Sequence, residues 1–457
     1  MDQGVIYLDN AASTQPSPEV CDFVYSVMRE RYGNPSSLHG MGIEAERYVG
    51  EARARVAQVI GARPENIVFT SGGTEANNIA ILSVCGGAPR GAADRIITTE
   101  LEHPSVYEPL KKAAERGWKI TCVPAGADGS VAMGLLGGAL DGNVALIALT
   151  HANNETGAVF PAESIGKLRD SKCPDALIHL DCVQSFAKLR FLPERCGADT
   201  ISVSSHKIHG PKGVGALYIS GRACVKPVYL GGGQENGVRP GTENVPAIAG
   251  FGLATQEAAR MMDESYGYVA RLREKFLAAI RKSGIEYIEI AGEAGEANNG
   301  RGVYGSQGAN GFHATGGGQG ADGFHAAGGG QDANYNQQAC GAQYSDGYHA
   351  VGSSRKTGGC LTSPYILVVA FPGAPAEVML NHLSGEGVYV SSGAACSSRR
   401  SVKTGSRVLI SMGLRREIID SAIRISFSRY NTETEIEAAA EKTVRAATII
   451  RKQNAKK

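Results

Sequence analysis

Between residues 66 and 219, short apolar runs alternate with longer stretches of helical spacing. The runs are NIVFT (66–70), RIITT (95–99), KITCV (119–123), VALIAL (144–149), ALIHLD (176–181), TISVS (200–204) and GALYI (215–219). Helical patterns lie between several of them, at 74–85, 104–116 and 161–171. Strands that are apolar on both faces and joined by helices predict a largely parallel α/β sheet. Ligands of such sheets bind where loops leave the carboxyl ends of the strands.

A long helical pattern follows over about 246–283, then strands at YIEIA (287–291), YILVVAF (365–371), VYVSS (388–392) and RISFS (424–428), with helices near 375–385 and 432–452. This second pattern predicts a smaller α+β domain at the C-terminal end. It is interrupted. From Gly295 to Gly359, 19 of 65 residues are glycine and none is Leu, Ile or Met. The stretch repeats every twelve residues, as in GFHATGGGQGAD (311) and GFHAAGGGQDAN (323). Fixed-period similarity marks a repeat array, but so little apolar surface hardly offsets about 1–2 kcal/mol of backbone ordering per residue. A flexible loop grown by duplication is the leading expectation, an ordered docking array the next. A metal site using His313, His325, His349 and Cys340 comes third, because the compact ligand spacing of zinc modules is missing.

Composition narrows the function classes. The 457-residue chain is 42% hydrophobic, with 46 Lys+Arg against 45 Asp+Glu. A net charge of +1 gives no electrostatic reason to expect nucleic acid or an anionic membrane as partner. MDQGVIYLDNAAST lacks the basic start and apolar run of a secretory signal. The apolar runs are too short to span a bilayer. A soluble, cytoplasmic protein is expected, with its ten cysteines mostly reduced. Cys85, Cys122 and Cys182, in or beside apolar runs, are expected to be inert core.

Three stretches carry chemistry. VFTSGGTEANN (68–78) is a strand, a glycine turn and a helix start. Backbone N–H groups, the Thr74 hydroxyl and the helix dipole there make an anion site; the plain alternative is a tight turn with Thr74 as N-cap. HLDCVQS (179–185) ends a strand on Asp181, an acid suited to a metal, a ribose or a protonated ring nitrogen, or simply to capping. SVSSHKIHGPKGVG (202–215) puts Lys207 between a strand end and a Gly/Pro turn, where a partly desolvated lysine becomes nucleophilic.

With YLDNAAST (7–14), NPSSLHGMG (34–42), ELEHPSV (100–106), HANNETG (151–157), GGGQENGVRPGTEN (231–244) and SSGAACSS (391–398), these stretches resemble the cysteine desulfurases, pyridoxal-phosphate enzymes of fold type I in the class V aminotransferase group. The resemblance runs from about residue 6 to 292 and from about 363 to 450. It implies an α/β large domain over 16–258, a smaller α+β domain over 259–457 interrupted at about 293–360, and an N-terminal segment, 1–15, packed on the small domain.

It also implies site roles. Lys207 holds pyridoxal 5′-phosphate covalently; Gly73, Thr74, Ser204 and His206 surround its phosphate, and Thr242 reaches the phosphate of a partner subunit in a homodimer. Asp181 pairs with the ring nitrogen, Gln184 contacts the ring hydroxyl, and His103 stacks on the ring and moves protons. Asn154 positions L-cysteine and Arg424 grips its carboxylate, which suits the two-pronged guanidinium. Cys396 attacks the substrate sulfur as a thiolate, keeps it as a persulfide and carries it to an acceptor protein of iron–sulfur cluster assembly or tRNA thiolation, while alanine leaves. A loop of Ser, Ala and Gly has little to hold it still and suits such travel. No metal is called for. The rivals are a cysteine or selenocysteine lyase that stores no sulfur on the protein, and a scaffold without turnover.

Overall fold

The computed structural model describes residues 4–89, 91, 93–291, 361–392 and 405–455, together with the backbone of 324–326. All seven apolar runs of the first half are strands. In chain order they follow β1 (Ile6–Tyr7): β2 (Ile67–Thr70), β3 (Arg95–Thr99), β4 (Lys119–Val123), β5 (Val144–Thr150), β6 (Leu177–Asp181), β7 (Thr200–Ser204) and β8 (Gly215–Ile219). They lie side by side as β4-β3-β5-β6-β7-β8-β2. The pairs from β4 through β7 are parallel; β8 is antiparallel to β7 and to β2. The carboxyl ends of β3, β5, β6 and β7 therefore open on one edge, and the residues that follow them face one another.

Helices α1 (Pro18–Glu30), α2 (Gly40–Val59), α3 (Gly73–Cys85) and α4 (Pro104–Ala114) form in the first part of the chain. Val56, Ile67, Phe69, Ile147, Phe186 and Phe251 belong to the largest core cluster. The long pattern at 246–283 is two helices, Val245–Arg260 and Met262–Ser283, broken at Met261 (φ −102°, ψ 10°). The break falls where the buried stripe changes core. Ile248, Phe251 and Ala254 pack into the first cluster, whereas Leu272, Phe276 and Ile280 pack into a second one with Leu8, Leu367 and Ile425.

The second sheet uses β9 (Ile288–Ile290), β11 (Ile366–Ala370), β13 (Ser391–Ser392) and β14 (Ala422–Ser426), ordered β13-β14-β11-β9 and antiparallel. VYVSS is not one strand. Its first half, β12 (Val388–Tyr389), pairs with β1, and only its second half, β13, joins β14. A helix of 22 residues, Glu433–Asn454, starts on a capping box of Thr432 and Glu435, which satisfies two otherwise orphaned N–H groups.

Of the repeat stretch only β10 (Phe324–Ala326) is described; it pairs in parallel with β4, at the edge of the large sheet. The remaining repeat columns, including His313, Cys340 and His349, lie outside the described residues. Among the described residues no helix is long and apolar enough to cross a membrane.

Candidate active site

Lys207 ends a short 3-10 turn, Ser205–Lys207, that leaves the carboxyl end of β7. It is buried, and its Nζ donates to the carbonyls of Ala11 (2.6 Å) and Ala12 (2.8 Å). Gln184 Nε2 donates to the same Ala11 carbonyl at 2.9 Å. The NAAST stretch thus gathers two of the expected cofactor residues on one oxygen.

Asp181 closes β6. Its Oδ2 accepts from Asn77 Nδ2 at 2.8 Å, and its Oδ1 accepts from the backbone N–H of Val183 at 3.0 Å. Asp181 caps no helix: the Val183 bond closes a local turn, and the next helix starts only at Pro193. Asn77, on α3, also contacts His179 (2.9 Å) and Ser105 Oγ (2.7 Å), and Ser105 Oγ lies 2.7 Å from His103 Nδ1. A buried polar chain runs from His179 through Asn77 to both Asp181 and His103.

His103 is the N-cap of α4, with Pro104 at the first helical position, where a missing N–H costs nothing. Its Nδ1 accepts from the backbone N–H of Ser105 at 3.1 Å, so the neutral ring carries its proton on Nε2. Burial, offset in part by Asp181 and reinforced by Lys207 and Arg407, holds its pKa below the usual histidine value.

An anion cup opens at the start of α3. A cavity of about 380 Å³ is lined by Gly72, Gly73, Thr74, Ser204 and His206, with the exposed Lys212 at its rim and with Glu75, whose carboxylate is engaged by the Ser71 N–H and by Arg239. The N-cap is Gly72, not Thr74; Thr74 stands one residue inside the helix with its hydroxyl left for a ligand. A Cβ on Gly73 would lie 2.5 Å from Val183 Cγ2, so glycine is what lets the helix start approach β6. Burial first, then Lys207, Lys212 and Lys188, push His206 down to about 4. The cup therefore offers neutral donors. Neutral donors at a helix start, a buried amine, a held carboxylate and a neutral imidazole fit pyridoxal phosphate in each of its polar parts. Thr242 is exposed and does not line this cavity.

The two residues expected to take the substrate, Asn154 and Arg424, sit where the two sheets meet. Arg424, in β14, is fully buried. Its Nη1 donates to the Asn154 carbonyl (2.9 Å) and its Nη2 to Asp9 Oδ1 (2.8 Å). Asn154 follows β5 in a turn pinned by Asn153, whose Oδ1 accepts from the N–H groups of Glu155 and Thr156. Cys396 lies outside the described residues, but the segments on either side of it are placed. Ser391 pairs in register with Arg424. Ser406 donates to Glu155, and Arg407 donates to the carbonyls of Glu100 and Glu102, next to His103.

Several polar neighbours of the expected site residues escaped the sequence reading. Asn77 and Ser105 stand three and two residues from expected site residues, a spacing that places Asn77 near Thr74 on one helix. Glu102 is buried, accepts from Thr99 (2.6 Å) and Thr150 (2.7 Å), and is pushed up to about 7 by burial. Lys188 is buried with Nζ 5.4 Å from the centre of the Tyr365 ring, and burial followed by the charge of Lys207 lowers it to about 7. No local pattern flags either one. Cys85 is buried and Cys122 half-buried, both raised to about 12 by burial, and Cys182 is buried and held well above the usual thiol value by the same cause, as expected of unreactive thiols.

The class-V aminotransferase profile matches residues 6–301. A cysteine desulfurase of Trichormus azollae is 32% identical over 437 residues, 96% of this chain and 91% of that relative. The cysteine desulfurase IscS of Dictyoglomus turgidum is 40% identical over 277 residues, 61% of this chain and 70% of its own. The solved structure of a NifS-like protein superposes with a TM-score of 0.76 at 30% identity, over 98% of this chain and all of the other.

Proposed function

The chain belongs to the cysteine desulfurases of the class-V aminotransferase family, and we propose that it holds pyridoxal phosphate at Lys207 and passes the sulfur of L-cysteine on as a persulfide of Cys396. The meeting of Lys207 and Gln184 at the Ala11 carbonyl, beside the Asp181–Asn77–Ser105–His103 chain, carries this assignment of the site. When bound, the cofactor supplies an electron sink for the carbon that carries the substrate amino group.

The chain's own groups do the rest. Thr74, Ser204 and the N–H groups after Gly72 bind the phosphate. Asp181, fixed by Asn77 and by the Val183 N–H, presents a held negative charge to a ring nitrogen. Lys207 takes the α-proton of the substrate, and His103, with its proton on Nε2, would stack on the ring and shuttle protons there. Arg424 holds the carboxylate, and Asn154 sets its orientation. The Cys396 thiolate attacks the substrate sulfur: an S–S bond forms, the C–S bond breaks, and its electron pair stays with the carbon fragment, which is protonated to alanine. The persulfide sulfur then goes to an acceptor protein of iron–sulfur cluster assembly or tRNA thiolation.

A homodimer is supported by a run of exposed apolar side chains that one chain leaves uncovered: Tyr25, Tyr32 and Leu38 near α1, and Tyr229 and Leu230 ahead of Thr242. In the dimer Thr242 reaches the partner's cup.

Alanine formation from L-cysteine, measured with and without a thiol reductant and with mass spectrometry of the Cys396 peptide, tests this reading. Multiple turnovers should need the reductant, and the peptide should gain one sulfur. A Cys396→Ala variant that releases sulfide at the full rate would show a lyase instead. Borohydride reduction followed by peptide mapping should place the cofactor on Lys207.

A further inference from the structure

Arg424 reaches the junction of three segments. It stands in β14, its Nη1 meets the carbonyl of Asn154 beyond β5, and its Nη2 meets Asp9 just after β1. The guanidinium is 0% exposed, and its Nε is buried with no hydrogen-bond partner. A cation this deep needs an anion near it, and Asp9 supplies one at 2.8 Å. Two of its five N–H donors are thus in use, one on each terminal nitrogen. The Asp9 carboxylate already sits on Nη2, so an incoming carboxylate that grips that prong of the fork must displace it.

The two partners differ in how readily they yield. The Asn154 carbonyl is backbone, held in the turn that Asn153 pins from both sides: Asn153 Nδ2 donates to Leu101, and Gly157 N–H donates to the Asn153 carbonyl. The Asp9 side chain is 23% exposed and turns about free single bonds. Its backbone stays fixed, because the Asp9 carbonyl accepts from Tyr7 Oη and from the N–H groups of Ala12 and Ser13. Exchanging one carboxylate for another leaves the buried charge balanced, while Asp9 swings toward water.

We propose that Asp9 is a resident competitor that occupies the carboxylate seat on Arg424 until the α-carboxylate of L-cysteine displaces it. This rests on the reading that Arg424 takes the substrate carboxylate. Asp9 thereby sets substrate affinity and selects for it. A ligand with a carboxylate repays the exchange; an uncharged ligand cannot, and meets a closed pair. Glu155 also faces Arg424, but it is half-buried and engaged by Ser406. It keeps an acid near the guanidinium when Asp9 is neutralised.

Titration of the holoenzyme with L-alanine and L-alaninamide, followed by cofactor absorbance, tests the proposal. Asp9→Asn keeps the shape and removes the competing charge. It should tighten L-alanine about tenfold, lower the KM for L-cysteine in step, and change alaninamide affinity less than about twofold. Asp9→Glu, which keeps the charge, should bind L-alanine weakly, as the wild type does. Unchanged or weaker L-alanine binding by Asp9→Asn overturns the proposal and makes Asp9 a mere orienting group. Arg424→Gln separates the two readings, for if it leaves L-alanine affinity intact, the carboxylate assignment itself fails. Independently of any variant, a crystal structure of the wild type with L-alanine should show Asp9 beyond about 4 Å from the fork. A 2.8 Å pair that persists in that complex also overturns it.

Discussion

At the start of α3 an anion meets neutral donors; at the junction beside β14 it meets a full cation. The cup has backbone N–H groups, hydroxyls and a histidine pushed down to about 4, with Lys212 only at the rim. The junction has a guanidinium with no exposure and a carboxylate already on it. Dipoles left without a guest need no counter-ion, so the cup can stand open. A buried charge cannot wait unpaired, so the junction carries its own anion. Glu102 shows the third outcome. It is a buried acid given neutral donors from Thr99 and Thr150 but, among the described residues, no cation, and burial raises it to about 7.

The largest expected effect comes from removing the cation. Arg424→Gln should lower kcat/KM for L-cysteine about a thousandfold, the scale of losing a buried charged partner, while cofactor affinity changes less than about threefold. Loss of cofactor at the same time would mean that the two anion seats are not independent. Glu102→Gln should stabilise the protein at pH 8 by up to ~3 kcal/mol. The sign follows from the raised pKa. Folding favours the protonated acid, so the wild type loses nothing below the unfolded carboxylate pKa and loses progressively more as pH rises to about 7. Denaturant midpoints at pH 4 and pH 8 check this, and an equal gain at both would point to packing instead of charge.

Asn77→Leu withdraws the amide that holds Asp181 Oδ2. About 2 kcal/mol, or roughly thirtyfold, should be lost from kcat, with KM little changed, measured by alanine production at saturating cofactor. The smallest effect belongs to the cup. Thr74→Val removes one neutral donor among several, and cofactor affinity should fall about tenfold with the KM for L-cysteine unmoved, as read by equilibrium dialysis and initial rates. A hundredfold loss there would show that the cup relies on one hydroxyl, contrary to its shared design.

The large sheet was legible because its strands are apolar on both faces, and a run such as RIITT or TISVS states its extent directly. The split of VYVSS between two sheets was not, since alternation says that residues are extended but not which neighbour they pair with. The break at Met261 was equally hidden: no Gly or Pro marks it, only a change in the core that the stripe faces. In the site, Lys207, Asp181 and His103 stand in motifs at strand ends and could be picked out. Asn77, Glu102 and Lys188 look like ordinary helix or loop residues until burial gives them consequence.

The sequence by itself determined the strand runs, the glycine turn before α3 and the lysine after β7, because each is a local matter of side-chain shape and backbone freedom. Only the tertiary structure decided that Asp9 and Arg424, 415 residues apart, share one buried pair, and that burial lowers the pKa values of His206 and Lys188. Those outcomes depend on distance and dielectric, which arise only once the N-terminal segment and the two sheets are packed against one another.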